Sequence, residues 1–397
     1  MKNRLLSWGI VVLLSCIHSF AFGQAGEKEP KKSYIQEHFE LGGYVKYMNT
    51  NSFRTIDTIF TDNLFHNRLN FKYNPHQNVR VTLELRNRLF YGESVKYVPN
   101  YAEFVDQDPG QVDLSFNLIN TSSMIFNSTI DRANIKYSKD KWNIQIGRQR
   151  INWGINMAWN PNDLFNAYNF VDFDYQERPG SDAVRVRYYN QPMSHLEVAY
   201  RPGKDLDNSI LAGMYAFNTR GYDIQVLGAN YLDDIAAGVG FAGNIKLAGF
   251  KGEATYFHPK SQFADTIGAV VSSISSDYTF SNGLYLNAAV LYNSAGSSST
   301  DFRQFTTSFS TLSAKNLMPT KFAGFATVSK SVSPIFGTNL SVMYLPGING
   351  LFAIPTLSYS ILENWDLDAV GQLLFAQTGS TYSNVSNAFF FRIRWSY

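Results

Sequence analysis

The chain is short of cysteine, proline and charge, and each shortage excludes a class of protein. One cysteine in 397 residues excludes a fold built on disulfides. Only 13 prolines and 17% charged residues, where average proteins have about 25%, exclude a disordered chain. The 28 glycines follow no period, so collagen is excluded. After the N-terminus no apolar run reaches about 18 residues, which excludes a helical membrane protein.

What the chain does have is aromatic and alternating sequence. Hydrophobic residues make up 45% and aromatic residues 15% of the chain, yet the mean hydropathy is only −0.19. Many aromatics, near-neutral hydropathy and no long apolar run are together typical of a large β-barrel whose apolar residues alternate with polar ones.

The N-terminus has the pattern of an export signal. Lys2 and Arg4 precede the apolar stretch 5–14, and small residues stand at positions 21 and 23, as at a signal cleavage site. The alternative is lipid attachment at Cys16, but the apolar stretch continues beyond it. When Lys2 and Arg4 of the signal are left out, the rest of the chain has as many basic residues as acidic ones. Its net charge therefore gives no reason to expect nucleic acid as a partner. Residues 24–37 predict a flexible polar lead.

Residues 38–397 alternate with period two, as β-strands do. Between residues 79 and 89, for example, apolar residues occupy positions 79, 81, 83, 85 and 89, while Arg80, Glu84, Arg86 and Arg88 stand between them. The pattern predicts an all-β, transmembrane antiparallel barrel of about 18 strands. Sixteen remains open, because the segments near Leu211 and Ala269 are weak. Short turns follow even-numbered strands and most longer loops follow odd-numbered ones, which predicts that both termini are periplasmic.

A soluble β-sandwich or a propeller is the competing fold for this pattern. A sandwich of this length would break into smaller domains, but no linker divides the chain. No repeat of about 40–50 residues indicates propeller blades.

The last strand carries the sharpest signal. Apolar residues occupy every second position to the final residue, and this resembles the terminal signature of Gram-negative outer-membrane barrels. The resemblance implies an outer-membrane protein in contact with lipid, whose last strand is recognised by the barrel-assembly machinery. The residues of this assembly signal are Phe389, Phe391, Ile393, Trp395 and Tyr397.

The polar face of the strands would line the barrel interior, where basic residues gather on one side. An arginine-rich wall can guide anionic or polyhydroxylated solutes, because guanidinium binds carboxylate and phosphate with two parallel bonds. Alternatively the arginines pair with a folded-in loop, and the two interpretations are compatible. The predicted pore-lining residues are Arg68, Arg80, Glu84, Arg86, Arg88, Arg132, Arg185, Arg187, Arg392 and Arg394.

Residues 147–180 carry the most specific motifs. The run Gly-Arg-Gln-x-x-Asn-Trp-Gly, then Asn-Pro-x-Asp and Pro-Gly-x-Asp-Ala, resembles a little-characterised family of porin-like outer-membrane barrels, which implies a channel and names no solute. The length and aromatic content predict that 147–180 folds into the barrel and narrows it, with its carboxylates against the basic wall. The predicted loop residues are Arg148, Arg150, Asn152, Trp153, Asp163, Asp172, Asp174, Glu177 and Asp182.

Arg148 conflicts with this scheme. Strict alternation places it on the lipid face with Ile146, and only a β-bulge at Gly147 would turn it inward.

Two further loops are long. Residues 91–128 contain Asp106, Asp108 and Asp113, but these lack the spacing of a calcium loop, so we expect a solvated external loop. Residues 294–320 are rich in Ser and Thr, which predicts a mobile surface loop.

The sequence therefore predicts a porin-like channel for passive or selective uptake of small hydrophilic solutes, including anionic ones. The alternative is a barrel filled by its own loops that binds or exports surface polysaccharide. An outer-membrane hydrolase is a weaker hypothesis, because His66, His76, His195 and His258 have no Ser or Asp at a recognisable spacing and no Gly-x-Ser-x-Gly motif occurs. We expect no enzyme activity, no cofactor and no metal. The solute and the oligomeric state are not indicated.

Overall fold

The computed structural model describes residues 33–53, 58–108, 110–167, 174, 177–205, 207–261, 263–297 and 312–397. The chain divides into two compact units, residues 1–38 and 39–397. In the first, one short helix, α1 (Tyr34–His38), is described. The predicted signal and most of the predicted lead lie outside the described residues. No helix in the described part is long and apolar enough to cross a membrane.

In the second unit almost every regular element is a strand. Two short helices, α2 (Glu93–Tyr97) and α3 (Tyr101–Val105), and one 3-10 turn at Pro346–Ile348 are the exceptions among the described residues. The strands are β1 (Phe39–Phe53), β2 (Ile59–His76), β3 (Val79–Gly92), β4 (Ser115–Asn120), β5 (Met124–Lys139), β6 (Trp142–Gln149), β7 (Ser181–Gln191), β8 (Ser194–Arg201), β9 (Ile210–Thr219), β10 (Tyr222–Tyr231), β11 (Asp234–Ile245), β12 (Ala248–Pro259), β13 (Ala269–Thr279), β14 (Leu284–Asn293), β15 (Phe322–Ser333), β16 (Phe336–Leu345), β17 (Gly350–Leu362), β18 (Trp365–Thr378) and β19 (Thr381–Ser396).

The sheet closes on itself into an antiparallel barrel. β19 pairs with β1, from Tyr44 opposite Ser396 to Phe53 opposite Asn387. β3 pairs directly with β5, so β4 stands outside the ring and the barrel has 18 strands. The predicted number is confirmed and 16 is wrong, because the weak segments near Leu211 and Ala269 form β9 and β13.

β4 extends the wall where β6 ends. β6 pairs with residues 133–139 of β5, and β4 pairs with residues 125–129 farther along the same strand. The sequence did not indicate this strand, which lies within the predicted external loop 91–128. The alternation of short turns and longer loops predicts a longer loop at residues 377–386, after the seventeenth strand of the ring. This prediction is wrong, because β18 ends at Thr378 and β19 begins at Thr381, which leaves a two-residue turn.

Alternation of burial shows which side of each strand faces outward. On β11, Ile235 and Val239 are 49% and 53% exposed, whereas Ala236 between them is 2% exposed. Successive side chains of a strand point to opposite faces. The exposed face is apolar around the barrel, as in a barrel surrounded by lipid.

β5 contains one β-bulge. Glu84 of β3 lies opposite Arg132, and the next residue, Leu85, lies opposite Ile130. Asp131 is therefore an extra residue with no partner on β3, which re-aims the side chains around it.

Half of the interior is packed like the core of a globular protein. The buried apolar cluster joins the inner faces of β8–β16 to side chains from two loops, 150–180 and 294–321. Ala314, Leu317 and Met318 of the second loop are 0%, 7% and 2% exposed. The expectation that 294–320 is a mobile surface loop is therefore wrong for its end, residues 312–320. Residues 298–311 lie outside the described residues.

Candidate channel interior

The interior has two chemically different sides. We call the inner faces of β1–β3, β5–β7, β18 and β19 the charged half, and the inner faces of β8–β16 the apolar half. Every predicted pore-lining residue lies on the charged half.

Arg68 is the most heavily paired residue of the charged half. Its side chain is 2% exposed and contacts Asp131 and Glu84 through Nη1 and Nη2, and Glu177 at 3.7 Å. Arg86 also pairs with Asp131, at 3.1 Å. Arg68 and Arg86 therefore share the counter-charge of Asp131, a residue of the wall itself. The bulge places Asp131 between them, and a bulge is not visible in a period-two pattern.

A second network lies on β18 and β19. Arg392 contacts Asp368 at 2.9 Å and Asp174 at 3.2 Å. Lys46 donates to the same Asp174 at 2.6 Å, and Arg394 pairs with Asp366 at 2.8 Å. Asp174 and Glu177 of the predicted loop thus meet the basic wall.

The other predicted arginines are held by neutral acceptors or shared carboxylates. Arg132 donates to the carbonyls of Glu177 and Arg178 at 3.0 and 2.7 Å, and Arg88 donates to Asn127 at 2.8 Å. Arg185 and Arg187 share the single carboxylate of Glu197. Arg80 is 3.7 Å from Glu40.

Lys136 adds another positive charge to this wall. It lies directly opposite Arg80 across the β3–β5 pair, and like charges in this position destabilise a sheet. Among the described residues it forms no ion pair. Within the described ranges, basic side chains of the charged half outnumber the carboxylates that contact them, which favours anions near this wall.

The apolar half holds the segment 150–167 by its backbone. Glu253 on β12 is 3% exposed and accepts hydrogen bonds from the backbone amides of Ile155, Asn156 at 2.8 Å and Asn162 at 3.0 Å. No ion pair to Glu253 is found in the described part of the chain. The three amides therefore hold the carboxylate, and the carboxylate fixes the turn of the segment.

Asparagine side chains complete this attachment. Asn162 donates to the carbonyl of Val239 at 3.1 Å and accepts from Thr255 at 2.7 Å. Asn156 donates to the carbonyl of Ser273 at 3.2 Å. Because Thr255 of β12 and Ser273 of β13 lie on the inner face, where they are 0% and 1% exposed, the segment rests against the inside of the wall.

Two tryptophans anchor the same segment. Trp153 donates its Nε1 to Glu197 at 2.8 Å, and Trp159 packs edge-on against Phe325 with ring centroids 6.3 Å apart. Both rings are 2% exposed. Asn152 and Met157, by contrast, remain exposed, so they are the side chains that the segment presents to the open part of the interior.

Asp163 does not pair with the basic wall. Its side chain is 2% exposed, and burial raises its pKa to about 7, against the opposing effect of Arg178 and Arg150. Arg150 itself donates to Asn152 at 3.1 Å. Asp172 lies outside the described residues.

Arg148 keeps the outward direction that strict alternation predicts. Ile135 pairs with Ile146 and Ala133 with Arg148 without a shift in register, so the suggested bulge at Gly147 is absent. Arg148 and Asp182 belong to β6 and β7 rather than to the loop. They pair at 2.8 Å, and Arg148 also contacts Asp108 at 2.6 Å.

Asp108 and residues 110–112 cover the ion pair between Arg148 and Asp182. The backbone amides of Gln111 and Val112 donate to Asp182 at 2.8 and 3.0 Å. This cover leaves Arg148 only 4% exposed. Part of the predicted external loop is therefore packed on the wall.

In the described residues no group of three or more His, Cys, Asp or Glu side chains is placed to hold a metal ion.

His66, one of the isolated histidines, faces inward and is 2% exposed. Its Nε2 lies 3.4 Å from the Tyr44 hydroxyl.

Comparisons with known proteins find similarity in structure only. No family model matches the chain, and no curated protein matches its sequence. OccK5 (OpdH) of Pseudomonas aeruginosa is similar with a TM-score of 0.57 at 10% identity, over 91% of this chain and 99% of that one. A BenF-like porin from Pseudomonas fluorescens Pf-5 has a TM-score of 0.57 at 9% identity, over 91% and 99%.

A third similar structure is a complex with a small organic ligand. OpdK of Pseudomonas aeruginosa with vanillate has a TM-score of 0.54 at 9% identity and covers 90% of this chain and 98% of that one. At these identities the likeness shows the fold, which is the 18-stranded barrel of outer-membrane porins.

Proposed function

We propose that this protein is an outer-membrane porin that admits small hydrophilic solutes and prefers anionic ones. In this proposal residues 1–23 direct export, the short-turn end and both termini are periplasmic, and the long loops face outward. The apolar outer face and the porin fold support the location.

The observation that carries the proposal is that, among the described residues, Lys136 forms no ion pair and Arg185 and Arg187 share the one carboxylate of Glu197. Charge facing a narrow channel with low-dielectric walls concentrates ions of the opposite sign, and salt weakens the effect. We propose that 147–180 forms the constriction, with Asn152 and Met157 facing the basic wall. The description of OpdK with vanillate supports a small organic anion as the solute class.

Ion selectivity tests the proposal. In a planar bilayer with a salt gradient, the reversal potential should show anion preference at low salt. Arg86→Glu combined with Arg88→Glu should reduce or reverse it. The matched control, Lys141→Glu with Lys246→Glu in short turns, should change it less. Cation preference in the wild type would contradict the proposal.

The loop-filled alternative is also favoured by one observation, the two loops packed into the apolar half. A barrel that binds or exports surface polysaccharide without an open path would give no unit conductance. A single-channel recording therefore separates the two functions.

We also propose that the last strand is the signal for the barrel-assembly machinery. Phe389, Phe391 and Tyr397 are 38%, 54% and 41% exposed on the outer face, so the signal residues face the surroundings. Removing residues 389–397 should leave protein that is degraded or periplasmic. Normal amounts of heat-modifiable barrel in the outer membrane would contradict this.

A further inference from the structure

Two connected clefts lie inside the barrel at its short-turn end. The first, of about 350 Å³, includes Ser358, Ser360, Asp366 and Asp368 in its lining. The second, of about 310 Å³, includes Tyr285 and Asn339. Both are lined by Ser331, Gly337 and Ser358, so they form one polar surface on the inner face of β14–β19. Arg392 and Arg394 of the basic wall also line the first cleft, whereas the other residues named here belong to neither the basic wall nor the segment 147–180.

The charges of the first cleft are already neutralised. Asp368 pairs with Arg392 at 2.9 Å and Asp366 with Arg394 at 2.8 Å. A small anion would meet two carboxylates here and a small cation would meet two guanidinium groups. Neither ion meets an unbalanced charge in the first cleft, so this cleft fits a neutral polar ligand.

The hydroxyl groups are oriented by these carboxylates. Ser358 donates to Asp368 at 2.6 Å and Ser360 donates to Asp366 at 3.0 Å. A serine that donates its proton keeps its lone pairs as acceptors. Asn339 donates to Thr327 at 2.8 Å and accepts from Ser341 at 3.0 Å. Its amide keeps a second proton and a second lone pair for a ligand, so the surface offers both donors and acceptors.

Tyr285 adds an aromatic surface to the second cleft. It lies opposite Ser329 in the β14–β15 pair and therefore shares the inward face. Its hydroxyl is 3.9 Å from the sulfur of Met157, which leaves one edge of the ring near the proposed constriction. Tyrosine combines an apolar ring with a polar end, and a sugar ring likewise combines C–H faces with hydroxyl edges.

We propose that these clefts form a binding subsite for a neutral, polyhydroxylated solute of one or two sugar rings. Each cleft is at the small end of the range of about 300–1,000 Å³ for ligand sites. The subsite rests on the proposed channel function, since the solute reaches it through the interior. It gives the protein a second class of cargo beside the anions attracted by the basic wall.

Maltose is the probe for the first experiment. In a planar bilayer at symmetric salt, maltose added on the short-turn side should reduce the single-channel ion current in a saturable way. Ser358→Ala with Ser360→Ala should raise the concentration for half reduction about tenfold, because two hydroxyl acceptors are lost. The control Ser138→Ala, inward on β5 across the barrel, should leave that concentration unchanged. An unaffected wild-type current, or a double variant that equals the wild type, would overturn the subsite.

Calorimetry of maltose binding to the full-length barrel in detergent separates this proposal from the channel function. Saturable binding that Tyr285→Leu weakens supports the subsite, even if the bilayer shows no conductance and the channel proposal fails. Conductance without any maltose binding would leave the channel and remove the subsite. Heat-modifiability of each variant on gels shows that the barrel is folded.

Discussion

The charged half and the apolar half of the interior are built on opposite principles. The apolar half buries large side chains such as Phe257 and Leu291, both 0% exposed, and polar groups on it hold the loop segments, as Glu253 holds residues 155, 156 and 162 and Asp234 holds Lys315. The charged half is made of side chains that share counter-ions, as Arg392 and Lys46 share Asp174. The comparison indicates that one side of the barrel supplies rigidity and position, while the other supplies the field that acts on solutes.

The two halves also differ in how they contribute to the stability of the barrel. Removing apolar surface from water stabilises a protein by about 25 cal/mol per Å², so packing on β8–β16 contributes directly. Ion pairs lose hydration when they form, and their net contribution is small or unfavourable where they are buried. We therefore expect substitutions in the apolar half to change stability and geometry, and those in the charged half to change selectivity.

The largest effect is expected at Glu253. Glu253→Ala removes the acceptor of three backbone amides, which leaves buried donors unpaired and frees the segment 150–167. Unit conductance in a planar bilayer should rise several-fold, and Glu253→Gln should give an intermediate value. Glu363→Ala, in an exposed turn, is the matched control. If conductance does not change, the apolar half does not position the constriction.

Trp159 tests whether the apolar half stabilises the barrel. Trp159→Ala should lower the free energy of unfolding by about 3–5 kcal/mol, the usual cost of truncating a buried aromatic side chain. Denaturant unfolding in detergent micelles measures it. Trp142, 49% exposed on the outer face, is the control, and its replacement by Ala should cost much less. Equal losses would remove the distinction between the inner core and the outer surface.

Asp163 should give the apolar half a dependence on pH. Because burial raises its pKa to about 7, the folded protein retains the proton while the unfolded chain loses it near pH 4. Its contribution to stability is complete below about pH 4 and is lost as pH rises to about 7.

Thermal unfolding across this range should therefore show a falling Tm in the wild type and a flatter profile in Asp163→Asn. Asp265→Asn, in an exposed loop, should leave the profile unchanged. A wild-type slope that persists in Asp163→Asn would show that other groups cause it.

The smallest effect is expected from Lys136 of the charged half. Lys136→Gln removes one of several positive charges that share the wall, so anion preference should decrease by less than twofold while stability stays the same or rises slightly. Reversal potentials at low salt measure the change, with Lys141→Gln in the adjacent turn as control. A large loss of barrel stability would show that this half also carries the fold.

Much of the fold follows from period-two alternation. It gave the closed barrel, the 18 strands and the inward direction of the arginines, because a strand with one face in lipid cannot tolerate a shift of one residue. Arg148 shows the limit of this reasoning. Its direction was predicted by alternation, but its burial depends on a distant segment, 108–112, whose position no local pattern encodes.

The attachment of the loops was the other part that the sequence did not reveal. Glu253 is an acidic residue on the inner face of β12, and a charge in a membrane strand is itself a signal of function. The Ser- and Thr-rich composition of 294–320 predicts a surface position for residues 312–320, which is wrong. The contacts of Leu317 and Met318 are made with strands far away in the chain, so composition alone could not place them.

The bulge at Asp131 sets the phase of a whole strand. On the short-turn side of it, Ile135 and Tyr137 point outward; on the far side, Ile130 and Phe126 lie opposite the outward residues Leu85 and Leu89. If Asp131 took an ordinary place in the ladder, without a bulge, the two stretches would be out of step, and Asn127 and Thr129 would face lipid. Asp131, which pairs with both Arg68 and Arg86, is therefore also the bulge residue that keeps both ends of β5 correctly oriented. Deleting Asp131 would therefore remove the bulge and its carboxylate and leave both faces of β5 in place, because Ile130 and Arg132 already point in opposite directions.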